Sequence, residues 1–206
     1  MTGFMAGYYT FCLWITRFLY VHFLWIGFTI LGLGILGVMP ATAAMFAVVR
    51  KWIQGEADNS PVFPLFWKTY KQEFLRSNLL GGILFFIGYA LIIQYQILRS
   101  QEETMYFIAS FAVLAIAILF IVIVLYFFPV FSHFKLSAIQ YLLWPFMIGF
   151  LHPILTIMLF IAVAGIYYFV FMTMPGLLFL MGGTVAAFIL TWGGQLTFSK
   201  FEYKEE

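Results

Sequence analysis

Three histidines, His22, His133 and His152, are the side chains of this sequence suited to titrating near neutral pH. Metal binding would require a second His, Cys or carboxylate at ligand spacing, and none of the three has one. The eight acidic residues all fall between the apolar stretches or in the tail, away from any paired base. Neither a Gly-x-Ser-x-Gly elbow, a His-Glu-x-x-His helix nor a phosphate loop occurs. The expectation is a protein that is not an enzyme and carries no metal and no cofactor. Gly32-Leu33-Gly34-Ile35-Leu36-Gly37 matches the dinucleotide-binding pattern letter for letter. That pattern needs a strand before it and a helix opening after it, which a membrane span cannot provide, so these glycines are expected to serve close helix packing.

The elements that must position these groups follow from composition. The chain of 206 residues is 65% hydrophobic and 9% charged, whereas soluble domains carry about 25% charged residues. Its solvent is therefore lipid. A net charge of +2, scattered along the chain, leaves no nucleic-acid footprint. The single cysteine, Cys12, excludes an internal disulfide and reads as a small packing residue.

Crossing a hydrocarbon core about 30 Å thick takes roughly 20 apolar residues in helical form. Five uncharged stretches meet that length: Phe18 to Val38, Leu79 to Leu98, Met105 to Phe128, Leu151 to Met172 and Leu177 to Leu196. Ala41-Thr42-Ala43 imitates a signal-peptidase site, but Phe18 to Val38 is longer than a signal core and is expected to be a retained first span. Gly37 and Pro40 are expected to end that span, leaving Ala41 to Val49 as a short lateral helix that stops at Gly55. Ser137, Gln140, Pro145 and Pro153 interrupt the next uncharged stretch, so 136–150 reads as a second interfacial helix. Pro175-Gly176 suits a tight hairpin between the last two spans. The fold class is thus an all-α polytopic membrane bundle: one domain over 1–206, five transmembrane helices, lateral interfacial helices and an amphipathic loop over 41–78.

Orientation follows from the cations, because short loops rich in Lys and Arg stay in the cytoplasm. Arg50, Lys51, Lys68, Lys71 and Arg76 share one loop, and five crossings put Lys135, Lys200 and Lys204 on the same side, with Arg17 and Arg99 opposite. The expected topology has the N-terminus outside and the C-terminus in the cytoplasm. Within that loop Phe63, Phe66, Trp67, Tyr70 and Phe74 recur at helical spacing on one face, with the cations elsewhere. Such a face serves either as a partner-docking surface or as simple anchoring in the headgroup layer. His22 and His152 are the candidate intramembrane polar groups. They either line a path for a small transporter or channel, or bond freed backbone carbonyls as neutral rings.

Three segments carry a resemblance: Val38-Met39-Pro40-Ala41-Thr42-Ala43-Ala44 with Arg50-Lys51-Trp52-Ile53-Gln54-Gly55-Glu56, then Ser77-Asn78-Leu79-Leu80-Gly81, then Tyr126 through Phe134. In composition and in their spacing over nearly the whole chain they resemble the YesL-like family of bacterial membrane proteins, a family of unknown function. That family's genes tend to lie beside carbohydrate uptake transporters and sensor kinases. The resemblance therefore implies a non-enzymatic accessory or regulatory membrane protein, with the bilayer and either a transporter permease or a sensor kinase as partners.

Overall fold

The computed structural model describes the backbone of residues 3–202 and the side chains of 5–198. Seven helices form among them: α1 (Gly3–Leu31), α2 (Ile35–Ile53), α3 (Val62–Arg99), α4 (Thr104–His133), α5 (Gln140–Leu151), α6 (Pro153–Thr173) and α7 (Pro175–Glu202). All except α5 are long and apolar enough to cross a bilayer. Large apolar side chains such as Ile35 at 87%, Leu33 at 84% and Ile154 at 76% exposure face outward, which only lipid can solvate. The protein is a multi-pass helical membrane bundle.

Leu79 to Leu98, Met105 to Phe128 and Leu177 to Leu196 each lie within one long helix, and Leu151 to Met172 matches α6 from Pro153 on, whereas Phe18 to Val38 is divided between α1 and α2, which makes six helices that meet the test. The first break lies at Gly32–Gly34 rather than at Gly37 and Pro40. There Leu33 takes a left-handed conformation (φ 61°) and Gly34 follows at φ 74°. Leu33 N–H bonds Ile30 O and Gly34 N–H bonds Thr29 O, which caps α1 and satisfies its last carbonyls internally. Gly37 then lies against α1, where a Cβ would strike the Thr29 and Phe28 carbonyl oxygens.

Pro40 sits inside α2 without breaking it. A proline removes the N–H that would bond the carbonyl four residues earlier. That carbonyl, Leu36 O, instead accepts from Asn78 Nδ2 of α3 at 2.9 Å. The expected lateral helix is therefore the second half of a 19-residue helix, and Gly55, left-handed at φ 84°, lies just beyond its C-terminal end.

Helix α2 is also the best-buried element. Ala41, Ala44, Met45, Val48, Val49 and Trp52 join Val21, Phe28, Phe66 and Tyr70 in one core. Ala43 belongs to a second core with Leu80, Tyr126, Val130, Tyr141, Ile148 and Leu159. Small alanines let α1, α3, α4 and α7 approach α2 closely, as packing within a bilayer requires.

The 62–78 region is not a separate lateral helix but the first half of α3. At 38 residues α3 is about 57 Å long, nearly twice the thickness of the hydrocarbon core. Its aromatic face turns inward. Phe28 of α1 meets Phe63, Phe66, Trp67 and Tyr70 at centroid distances of 5.0 to 6.2 Å, and the Tyr70 hydroxyl donates to Phe28 O at 3.1 Å. Helix α5 has 12 residues, about 18 Å, too few to cross, and it docks on α4 through Tyr141 and Ile148.

The connections also fix which ends share a face. Arg17 pairs with Asp58, so that part of α1 stands beside the loop after α2 and not opposite it, as five crossings had implied. Arg50 reaches His133 O, and the His133 ring contacts Phe198 near the end of α7. Lys200 and Lys204, counted above for orientation, lie outside the described side chains.

Asn78→Ala should cost about 1–3 kcal/mol by leaving Leu36 O without a donor at a lipid-facing helix contact. In a Pro40→Ala background the new N–H at position 40 bonds Leu36 O, and the loss should shrink. Thermal unfolding of the four proteins in detergent checks this; equal losses in both backgrounds would refute the account of Pro40.

Candidate functional site

The most polar of the cavities lies where α2, α3 and the α4–α5 connection meet, and it has a volume of about 180 Å³. Helix α2 contributes Arg50. Helix α3 contributes Thr69, Gln72, Glu73 and Arg76, which recur every three to four residues and so share one face. Ser132, His133 and Lys135 come from the end of α4 and the residues after it, and Tyr141 from α5.

Both arginines act on backbone carbonyls at the α4–α5 connection, Arg50 on the last residue of α4 and Arg76 three residues beyond it. Arg50 Nη1 donates to His133 O at 3.3 Å, and Arg76 Nη2 donates to Leu136 O. A cation at a helix C-terminus also opposes the negative end of the helix dipole. The connection is held from the other side by Tyr141, whose hydroxyl donates to Phe134 O at 2.6 Å and accepts from Leu136 N–H at 3.2 Å. The Arg76 guanidinium lies 4.7 Å from the Tyr141 ring centroid. These bonds use a fraction of the five donors of each guanidinium. Arg50 Nε is buried without a hydrogen-bond partner, and so is Glu73 Oε2. The ion pairs among the described residues are Arg17–Asp58 and Lys51–Glu56, so Glu73 is in neither. Lys51 donates to both Glu56 oxygens, and this holds the Glu56 carboxyl below its usual range.

The residues expected to form one surface are thus divided. Arg50 and Arg76 enter the cavity, and Phe66 and Tyr70 are buried in the core, with Phe74 half-buried at its edge. Lys68 and Lys71 stay exposed, Lys71 lying 4.7 Å over the Trp67 ring, while Phe63 and Trp67 remain 47% and 40% exposed at the rim. The two intramembrane histidines are not brought together. His22 Nε2–H donates to Phe179 O of α7 at 2.9 Å and its ring stacks on Trp25. His152 sits at the α5–α6 joint, where its carbonyl accepts from Thr156. Neither lines the polar cavity or the larger apolar ones between α3 and α4 and among α2, α4, α6 and α7.

Glu73, His133, Lys135 and Tyr141 escaped the sequence reading as site members. The available signal was the repeat of polar residues at 69, 72, 73 and 76 opposite the aromatic face, together with the polar residues Ser132, His133 and Lys135 at the end of an otherwise apolar helix.

The first and third of the segments that carried the resemblance reach this cavity, with Ala43 and Arg50 from the first and Phe131 to Phe134 from the third, while the second supplies Asn78, two residues after Arg76 on α3. YesL of Bacillus subtilis (strain 168) is 34% identical over 196 residues, covering 95% of this chain and 90% of YesL. This chain belongs to the YesL-like family. YesV of the same organism is 32% identical over 168 residues, covering 82% of this chain and 80% of YesV. YteU is 44% identical over 124 residues, covering 60% of this chain, and this chain matches about half of YteU's length, 55%. All three relatives are uncharacterized proteins. A family described as a protein of unknown function, DUF624, matches residues 18–95, from α1 into α3. No solved structure matches.

Tyr141→Phe removes one donor and one acceptor from the α4–α5 connection of this YesL-like protein. A loss of about 1–3 kcal/mol is expected, with faster amide hydrogen exchange confined to residues 134–139. Unchanged exchange there would show that Tyr141 does not hold the connection.

Proposed function

We propose that the chain is a non-enzymatic accessory or regulatory protein of the bacterial cell membrane that engages its partner through one cationic, cytoplasmic end. One observation carries this reading: Arg50, Arg76 and Lys135 surround a polar cavity at one end, with Arg17, Lys51, Lys68 and Lys71 in the neighbouring segments, while Arg99 lies at the far end. Short segments rich in Lys and Arg stay in the cytoplasm. The antiparallel α1–α2 hairpin adds an even number of passages whether it crosses fully or turns back within the bilayer. The N-terminal end of α1 and the end of α7 then both face the cytoplasm. This replaces an exterior N-terminus, and the Arg17–Asp58 pair supports the change.

The partner in this reading is a transporter permease for carbohydrate uptake or a sensor kinase. Exposed Lys68 and Lys71 suit an acidic partner surface, where rim charges steer association.

An N-terminal fluorescent fusion should be bright, and an N-terminal alkaline phosphatase fusion inactive; the reverse pattern would rule out the cytoplasmic N-terminus. Affinity purification of the tagged chain in mild detergent should enrich a permease or kinase over a tagged membrane control. Lys68→Glu with Lys71→Glu should lower that enrichment about tenfold. If neither protein class is enriched, or if the double variant captures as much, the accessory role is wrong.

A further inference from the structure

The cavity beside Arg50 contains an arrangement that its structural duties do not consume. Arg50, Arg76 and Lys135 supply three positive charges around about 180 Å³. Two of them already hold the α4–α5 connection through backbone carbonyls, yet Arg50 Nε remains buried and unbonded. Glu73 faces the same space with a buried, unbonded Oε2 and closes on neither arginine. A structural ion pair would have consumed these groups. Held apart around a cavity, they present donors for an oxyanion and one acceptor that must receive a proton from whatever binds.

The geometry points to a binding site for a phosphate monoester group, held by Arg50, Arg76 and Lys135 and read by Glu73. Planar guanidinium groups match the oxygens of a phosphate, and charge-assisted bonds of this kind are the stronger class. Glu73 decides which oxyanion enters. Inorganic phosphate keeps an O–H in both of its ionic forms near neutrality, and monoesters, which titrate near pH 6, keep one in part; that O–H can donate to the Glu73 carboxylate. Sulfate and phosphodiesters have no such proton and meet an unpaired negative charge instead. The acceptable chemistry has two sources: a soluble phosphate, or the monoester headgroup of phosphatidic acid presented from the adjoining leaflet.

This deepens the reading of the cationic end at the same cavity, but its test uses the purified chain alone and stands whether or not a partner is captured. The full chain is placed in phosphatidylcholine nanodiscs and titrated calorimetrically with inorganic phosphate, and with sulfate at matched ionic strength. Phosphate should bind more tightly than sulfate at every pH from about 6 to 8.5, because both of its ionic forms in that range keep an O–H for Glu73. Lys135→Gln, at an exposed position that tolerates exchange, should weaken phosphate about tenfold, the worth of one charge-assisted bond. Glu73→Gln should abolish the preference over sulfate. Lys68→Gln with Lys71→Gln removes two exposed cations outside the cavity and should change nothing.

Discs doped with phosphatidic acid separate the sources. Competition with phosphate there, and not in discs doped with the diester phosphatidylglycerol, identifies the lipid headgroup. Absence of competition assigns the site to a soluble phosphate. Equal binding of phosphate and sulfate, binding indifferent to both Lys135→Gln and Glu73→Gln, or no binding of either phosphate or phosphatidic acid overturns the site.

Discussion

The carbonyl of Leu36 must find a donor where α2 begins against α3 on the lipid-facing surface, and the rest of the arrangement is built around the side chain that supplies it. Pro40 cannot donate to it, and no water is at hand in the hydrocarbon to do so. Asn78 of α3 reaches across, and that bond pins the middle of α3 against the first turn of α2. With that contact fixed, the alanines of α2 let four helices close around it, and α3 can run without interruption from the polar end into the lipid. One satisfied backbone group thus makes α2 the central helix of the bundle.

The same contact sets the chemistry at the polar end. Glu73 and Arg76 lie within two turns of Asn78, so their placement follows from the register that Asn78 imposes on α3. Arg76 meets the connection after α4, and Arg50, near the end of α2, meets the last turn of α4 itself. The arginines spend some donors on carbonyls at the end of α4 and in the connection after it, and this keeps them away from Glu73. A cavity persists because three cations and a carboxylate are tied to walls and not to one another.

Packing gathers many of the cations toward one end of the bundle. Aromatic rings around Phe28 bind the first half of α3 to α1, which brings Lys68, Lys71 and the arginines to the end where Arg17 and Asp58 meet. The far end of α3 has the Ser100–Glu103 connection, where Arg99 is placed, whereas the Gly32–Gly34 turn stands beside Tyr70 in the first half of α3. Apolar side chains such as Leu33, Ile35 and Met174 are exposed at the α1–α2 turn and at the break before α7.

The sequence by itself determined the solvent, the helical class and most of the long helices. Twenty uncharged residues in a row have one way to satisfy their backbone in lipid, so Met105 to Phe128 or Leu177 to Leu196 could be read directly. The family was legible too, through the proline, asparagine and aromatic segments and their spacing. The role of Pro40 was not legible, because a proline breaks a helix unless a residue distant in sequence replaces its bond, and Asn78 is 38 positions away. For the same reason the aromatic face of 63–74 could not be assigned to protein or to lipid: periodicity tells that five rings share a side, whereas Phe28 decides what that side touches. The polar cavity was the least visible feature, since Arg50, the Glu73–Arg76 face of α3 and Lys135 lie on three separate segments with no common spacing. Local chemistry fixes which segments become helices in a bilayer; only their packing fixes which charges come to face one another.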